Sequence, residues 1–354
     1  MAGGVGTRFW PMSKLNIPKQ FIDILGIGKS LIRMTYERFL LTILPENIYV
    51  VTNEMYKDLV LEQIPELSPD QIICEPSRRN TAPCIAYATY KIASLNPEAN
   101  FVVSPADHII FKEDNFSQII KVALDAVSKN DWLMTLGIRP TRPDTGYGYI
   151  QFKENDLDVS DHRIKKVKTF TEKPNLEFAK KFIDSGDFLW NSGIFVWSAK
   201  SIIHAFENFV PEISSVFAEG KEFYNTSKEK DFIKKTYQVC KNISIDYAVM
   251  EKAKNVFTFY SDFEWSDLGT WGSLYDISKK DNQKNAVIGN NVLAYETSDC
   301  IVNVPKDKLV VLEGLKDYIV VESNHILLIC RKQNEQQIRQ FVQDVKITKG
   351  EKFV

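Results

Sequence analysis

The 354-residue chain has little of what marks a metal-cluster, secreted, membrane or polymer-binding protein. Its five cysteines (Cys74, Cys84, Cys240, Cys300, Cys330) are odd in number and scattered, and no Cys-x-x-Cys occurs. That argues against a disulfide framework or a thiolate metal knuckle and fits reduced thiols. The four histidines (His108, His162, His204, His325) form no cluster, so neither a zinc site nor a histidine dyad is visible. No run approaches the ~20 apolar residues of a membrane-crossing helix, and no charged-then-apolar leader opens the sequence. A cytoplasmic protein with no membrane partner is the expectation. An excess of one charge is missing too: 44 basic and 46 acidic residues give −2, which speaks against a nucleic-acid partner.

What is present begins with core-forming material, 44% hydrophobic and 12% aromatic. The length exceeds one average domain, so a large α/β unit with a smaller appendage is expected. Strand-like runs at Ile48–Thr52, Gln71–Cys74, Asn100–Ser104 and Trp132–Gly137 alternate with helical patterns at Glu54–Ile64, Thr81–Leu95 and Asn115–Lys129. This alternation predicts a doubly wound, mostly parallel sheet covered on both faces, with ligands beyond the carboxyl ends of its strands. From Gly146 the pattern is mixed, with strands expected at Tyr147–Phe152, Lys166–Thr171 and Ile194–Trp197. After Asn285 short strands with turn signals run to Cys330, and a final helix is expected at Glu335–Val345. The division expected is residues 1–284 as the catalytic unit and 285–354 as a β-rich module with a terminal helix.

Chemistry-bearing motifs start at once with Ala2-Gly3-Gly4-Val5-Gly6-Thr7-Arg8, followed by Pro18-Lys19-Gln20. Gly3, Gly4 and Gly6 let backbone N–H groups approach an anion closely, Thr7 adds a hydroxyl, Arg8 a planar fork and Lys19 a point charge. The loop is neither a P-loop, which closes on Gly-Lys-Ser/Thr, nor a dinucleotide fingerprint, whose third glycine is replaced by Phe9. An ordinary glycine turn is the plainer alternative. Asp107 follows the apolar run Phe101–Val103, where a carboxylate can hold Mg²⁺ or cap a turn; Asp267, in Trp265-Ser266-Asp267-Leu268-Gly269, is the second candidate. In Glu75-Pro76-Ser77-Arg78-Arg79-Asn80-Thr81-Ala82-Pro83, Asn80 or Thr81 can cap the next helix. That leaves Glu75, whose carboxylate suits the paired donors of guanine, N1–H and the N2 amino group. Tyr147 and Gly148, the pair Glu172–Lys173, Asn191 and Asp246 are each weak signals, readable as a turn, a solvated ion pair, an amide before a strand and an N-cap.

The loop and its Pro-Lys resemble the signature of sugar-1-phosphate nucleotidyltransferases. Phe9-Trp10-Pro11, Pro18-Lys19-Gln20 and Glu-Pro-x-x-Arg-Asn-Thr-Ala-Pro resemble the mannose-1-phosphate guanylyltransferase branch. The resemblance spans nearly the whole chain. It implies a Rossmann-like doubly wound mixed sheet with a left-handed β-helix-like C-terminal module. It also implies Mg²⁺ as cofactor, GTP and mannose 1-phosphate as substrates, and a homodimer. On that resemblance Arg8 and the loop meet the β/γ-phosphates and Lys19 the α-phosphate. Glu75, with Asn80 and Thr81, belongs to the nucleotide side, and Asp107 and Asp267 carry the metal. Tyr147, Gly148, Glu172, Lys173, Asn191 and Asp246 form the sugar-phosphate pocket. A different sugar 1-phosphate, or a catalytically silent nucleotide-sugar sensor, are the alternatives. Longer members append a cupin-type isomerase domain for which 354 residues leave no room, so a single activity is expected. Members also carry an apolar strand before Ala-Gly-Gly, and about six to ten Val- and Ile-rich residues ahead of Met1 are expected to belong to the natural frame.

Overall fold

The computed structural model describes residues 1–154 and 161–354. Its centre is a six-stranded sheet in the order Asn100–Val103, Phe188–Ser198, Leu133–Ile138, Val256–Ser261, Ile164–Glu172, Gly148–Phe152. The sheet is mixed and mainly antiparallel, not mostly parallel: within it only Leu133–Ile138 and Val256–Ser261 run parallel. Ile164–Glu172 runs antiparallel to both its neighbours, and Phe188–Ser198 inserts antiparallel between Asn100–Val103 and Leu133–Ile138. The inserted strand is buried along most of its length. A strand covered on both faces reads as a continuous apolar run whichever way it points, so direction is not written in the pattern.

Helices Thr81–Ala93, Ala199–Phe209 and Pro211–Ala218 pack together on one side, around Ile85, Ile202, Phe206 and Phe217. Helix Glu113–Lys129 covers the other with Phe116, Ile119, Ile120 and Ala123. Val50–Asn53 and Ile72–Glu75 form a separate two-stranded parallel sheet. Between its open edge and that of Asn100–Val103 lies a slot of about 650 Å³, lined by Val50, Val51, Ile85, Ile92, Val102 and Val103 among others. Met1 and Ala2 bridge the edges at this slot: Met1 N donates to the Ser104 carbonyl (2.7 Å), Ala106 N to the Met1 carbonyl (2.9 Å) and Ala2 N to the Val51 carbonyl (2.7 Å).

The C-terminal part forms β-helix-like rungs. Ala286–Ile288, Ile301–Asn303 and Tyr318–Ser323 stack in parallel with Ala286, Ile301 and Ile319 in register, and Asn291–Tyr295 stacks on Leu309–Glu313. Helix Ile338–Lys349 follows. The rungs share one core with the start of the chain: Phe9 and Trp10 pack with Trp271, Ile301, Ile319 and Ile338. Phe9 and Trp271 are fully buried with ring centroids 5.0 Å apart, a burial that contributes on the order of 2–3 kcal/mol per ring. The rungs and the start of the chain are therefore packed directly on each other.

Candidate active site

The glycine loop is folded back on the segment that follows it. Gly6 sits at φ +70°, and a Cβ there would collide with the Lys19 side chain. Only glycine combines that conformation with so close an approach. Gln20 Nε2 donates to the carbonyls of Ala2 (2.7 Å) and Gly4 (3.1 Å), and Ser13 Oγ donates to that of Gly6 (2.5 Å). The loop's carbonyls are thus turned inward. Its N–H groups from Gly3 to Thr7 find no acceptor among the described residues. A run of free backbone donors, three of the five on glycine, is the local geometry of an anion nest. Arg8 follows in a short helical turn, its Nε buried without a partner among the described residues. Burial, and then the neighbouring charge of Arg339, lower its pKa from the ordinary arginine value.

Lys19 is where the loop meets both aspartates. Its ammonium lies 2.9 Å from Asp107 Oδ2 and donates to the carbonyls of Asp267 (2.8 Å) and Leu268 (3.0 Å). All three donors are taken, so direct contact with a phosphate requires exchanging one of these partners. Asp107 and Asp267 stand 160 residues apart in sequence. A short antiparallel pairing, Ile110 with Trp265 and Ile109 with Ser266, joins the two segments. Burial works to raise the Asp107 pKa, but Lys19 and then His108 outweigh it and hold the carboxyl below its usual range. Asp267 Oδ1 accepts from the Tyr147 hydroxyl (2.8 Å) and from Gly269 N (2.9 Å).

Asp107 Oδ1 and Asp267 Oδ2 make no hydrogen bond among the described residues. No group of three or more His, Cys, Asp or Glu that could hold a metal occurs among those residues either. Two hard carboxylates without a closed cage fit Mg²⁺, which keeps waters and takes one or two carboxylates plus substrate phosphates.

Glu75 ends the strand Ile72–Glu75 beside the loop, with a Cβ position on Gly3 only 3.5 Å from its Oε2. Its Oε1 accepts from the buried Tyr237 hydroxyl at 2.9 Å. Burial pushes the carboxyl up to about 7, against the lowering effect of that hydrogen bond. Asn80, at φ 67°, caps helix Thr81–Ala93 by accepting from Thr81 N (2.9 Å), and Thr81 Oγ1 accepts from Ile245 N (2.8 Å). Both of these side-chain oxygens hold backbone. Thr81 thereby anchors the residue before Asp246.

A second group lies around Asp246. Asn191 Nδ2 donates to Asp246 Oδ1 (2.8 Å), while Asn191 Oδ1 accepts from Thr135 Oγ1 (3.0 Å). Burial, and then Glu172, push the Asp246 carboxyl up to about 6. The side chain of Asp246 caps no helix. Glu172 pairs with Lys173, and a Cβ on Gly148 would collide with the Glu172 carboxylate. The Tyr147 hydroxyl donates to Asp267, its carbonyl accepts from Lys173 N (3.2 Å), and its ring packs on Trp190 and Trp265. Thr7 is exposed and forms no side-chain hydrogen bond among the described residues.

Sequence reasoning missed His108, Trp265 and Tyr237. Trp265 Nε1 donates to His108 Nδ1 (3.1 Å), which fixes the ring beside Asp107, and burial lowers the His108 pKa. The motif around Trp265 carried a signal for the first pair. Nothing near Tyr237 in sequence pointed to Glu75.

A family model described as nucleotidyl transferase matches residues 1–284, and one described as a mannose-phosphate isomerase/GMP-like β-helix domain matches 289–345. An Escherichia coli mannose-1-phosphate guanylyltransferase is 34% identical over 98% of this chain and 75% of its own length. One from Salmonella montevideo is 36% identical over 98% and 73%. The crystal structure of a mannose-1-phosphate geranyltransferase from Thermus thermophilus superposes with a TM-score of 0.86 at 27% identity, covering 98% of both chains.

Proposed function

The chain belongs to the nucleotidyl transferase family and, within it, to the mannose-1-phosphate guanylyltransferases, and from that premise we propose that it joins GTP and α-D-mannose 1-phosphate to give GDP-mannose and pyrophosphate. The observation that carries this reading is the meeting of the open glycine loop, Asp107 and Asp267 on Lys19.

In the reaction an oxygen of the sugar phosphate forms a bond to the α-phosphorus of GTP. The bond from that phosphorus to the bridging α–β oxygen breaks, and its electron pair leaves with pyrophosphate. The attacking phosphate is largely ionised at neutral pH, so no base must remove a proton. What the protein supplies is position and charge. The loop N–H groups and Arg8 hold the β/γ-phosphates. Lys19 adds positive charge beside the α-phosphate and keeps both aspartates in place. Tyr147 orients Asp267. Glu75 accepts from guanine N1–H and the N2 amino group; adenine would present an acceptor at N1 instead. Asn80 and Thr81 set the helix start on the nucleotide side. Gly148, Glu172, Lys173, Asn191 and Asp246 form the sugar-phosphate pocket. Asp107 and Asp267 would hold Mg²⁺, which when bound neutralises phosphate charge.

The same reading assigns residues 1–284 to catalysis and 285–354 to assembly as a homodimer. Leu293, Leu309 and Val311, on the paired strands Asn291–Tyr295 and Leu309–Glu313, are exposed and apolar, a face suited to a second copy. No helix among the described residues is long and apolar enough to cross a membrane, which fits a cytoplasmic enzyme acting on small substrates without nucleic acid. Pyrophosphate release across four nucleoside triphosphates and several sugar 1-phosphates tests the assignment. Fastest turnover is expected with GTP and mannose 1-phosphate; preference for another pair, or no turnover, overturns it.

A further inference from the structure

Helix Ile338–Lys349 docks against the glycine-loop segment. Ile338 is fully buried in the cluster that holds Phe9 and Trp10. Near the chain's end, the Phe353 carbonyl accepts from Trp10 Nε1 at 2.8 Å. In the turn before the helix, Glu335 Oε2 accepts from Gly272 N at 2.7 Å, five residues past Asp267. The C-terminal element is thus fastened to both segments that build the phosphate side of the site.

This docking lays the start of the helix, with Arg339, against the turn Thr7–Phe9 that carries Arg8. Arg339 follows buried Ile338 as Arg8 precedes buried Phe9, and it stands one helical turn after Glu335. Glu335 and Ile338 are the anchors of the helix. Arg339 is exposed and forms no ion pair or side-chain hydrogen bond among the described residues. Arg8 Nε is buried and equally without a partner. The charge of Arg339 is felt at Arg8, second only to burial in lowering the pKa of that guanidinium. Asp267, Glu335 and Asp144 offset this in part without closing an ion pair with either arginine. Two like charges held in range of each other generate a local positive potential that a bound polyanion relieves.

We propose that Arg339 is a second polyphosphate-binding guanidinium, reaching from the C-terminal helix toward the β/γ-phosphates beside Arg8. The C-terminal module then completes the nucleotide site and does not serve assembly alone. This rests on the reading of the glycine loop as the triphosphate cradle.

Calorimetric titration of the full chain with GTP, GMP and inorganic pyrophosphate, for wild type, Arg339→Ala and Arg339→Lys, tests it. Arg339→Ala is expected to weaken GTP and pyrophosphate by about tenfold, the scale of one charge-assisted contact, and to leave GMP affinity and thermal midpoint unchanged. Arg339→Lys restores part of the loss, and in turnover the KM for GTP rises while that for the sugar phosphate holds. Equal pyrophosphate affinity in wild type and Arg339→Ala overturns the proposal, as does a loss of GMP affinity equal to that of GTP, which would mark a structural effect. A wild type that binds pyrophosphate but turns over no GTP with mannose 1-phosphate sinks the catalytic assignment and leaves Arg339 to be judged by binding.

Discussion

Replacing Glu75 by glutamine separates two consequences of one buried carboxylate. In the free protein its pKa stands at about 7 against an ordinary 4.5. That difference is worth roughly 3 kcal/mol of stability, from about 1.4 kcal/mol per tenfold change in proton affinity. The sign follows from a folded pKa raised above the unfolded one. Below pH ~4.5 the carboxyl is neutral in both states and costs nothing. Between pH ~4.5 and ~7 the unfolded chain ionises it while the folded chain keeps the proton, so stability falls over that window and levels off above it. The groups that face it are the Tyr237 hydroxyl, the Cys84 thiol, the Arg78 guanidinium and the chain's amino terminus, and together they do not offset burial. Glu75→Gln removes the ionisation, so its thermal midpoint should exceed that of wild type by several degrees near pH 8.5 and converge with it, or fall below it, near pH 5.

Function should move the other way. Glutamine offers one acceptor oxygen and turns an amino group toward the N–H face of guanine, at a cost of ~1–3 kcal/mol, or about 5- to 150-fold in kcat/KM for GTP. ATP lacks those donors and should change little, so discrimination narrows. Wild-type kcat/KM for GTP should also fall as pH drops through 7, where the carboxylate becomes protonated, and the variant should lose that dependence. The assay is pyrophosphate release with GTP and with ATP from about pH 5.5 to 8.5, beside thermal unfolding over the same range. Unchanged GTP/ATP discrimination in a folded variant refutes guanine reading by Glu75. An unchanged stability gap between pH 5 and 8.5 refutes the raised pKa.

Asp107→Asn and Asp267→Asn should each lower turnover by roughly 10²-fold or more in a folded protein and weaken the dependence on added Mg²⁺; near-normal rates in both would remove them from the metal role. Gly6→Ala puts a Cβ against Lys19 in a left-handed backbone and should cost at least ~1–3 kcal/mol, read by denaturant unfolding, with GTP turnover falling as Lys19 is displaced. Leu309→Lys with Val311→Asp should convert a dimer to monomer in light scattering at micromolar concentration, and an intact chain that is already monomeric defeats the assembly reading.

Much was legible in the sequence because the information is local. The Asn80 cap involves adjacent residues, Gln20 reaches the glycine loop across 16 to 18 residues, and successive rungs pair 15 residues apart, all short separations in this chain. Apolar periodicity likewise marked most strands, since it records which side of an element is covered. It does not record by what, or in which direction. Only the tertiary structure decided that Phe188–Ser198 enters the sheet antiparallel, and that a two-residue pairing carries Asp267 to Asp107. It also decided that Tyr237 reaches Glu75, that Tyr147 serves Asp267, and that the last helix returns to the first loop. Those are choices of partner among chemically equivalent faces. They are settled by the sum of packing over the whole chain, which no single motif contains.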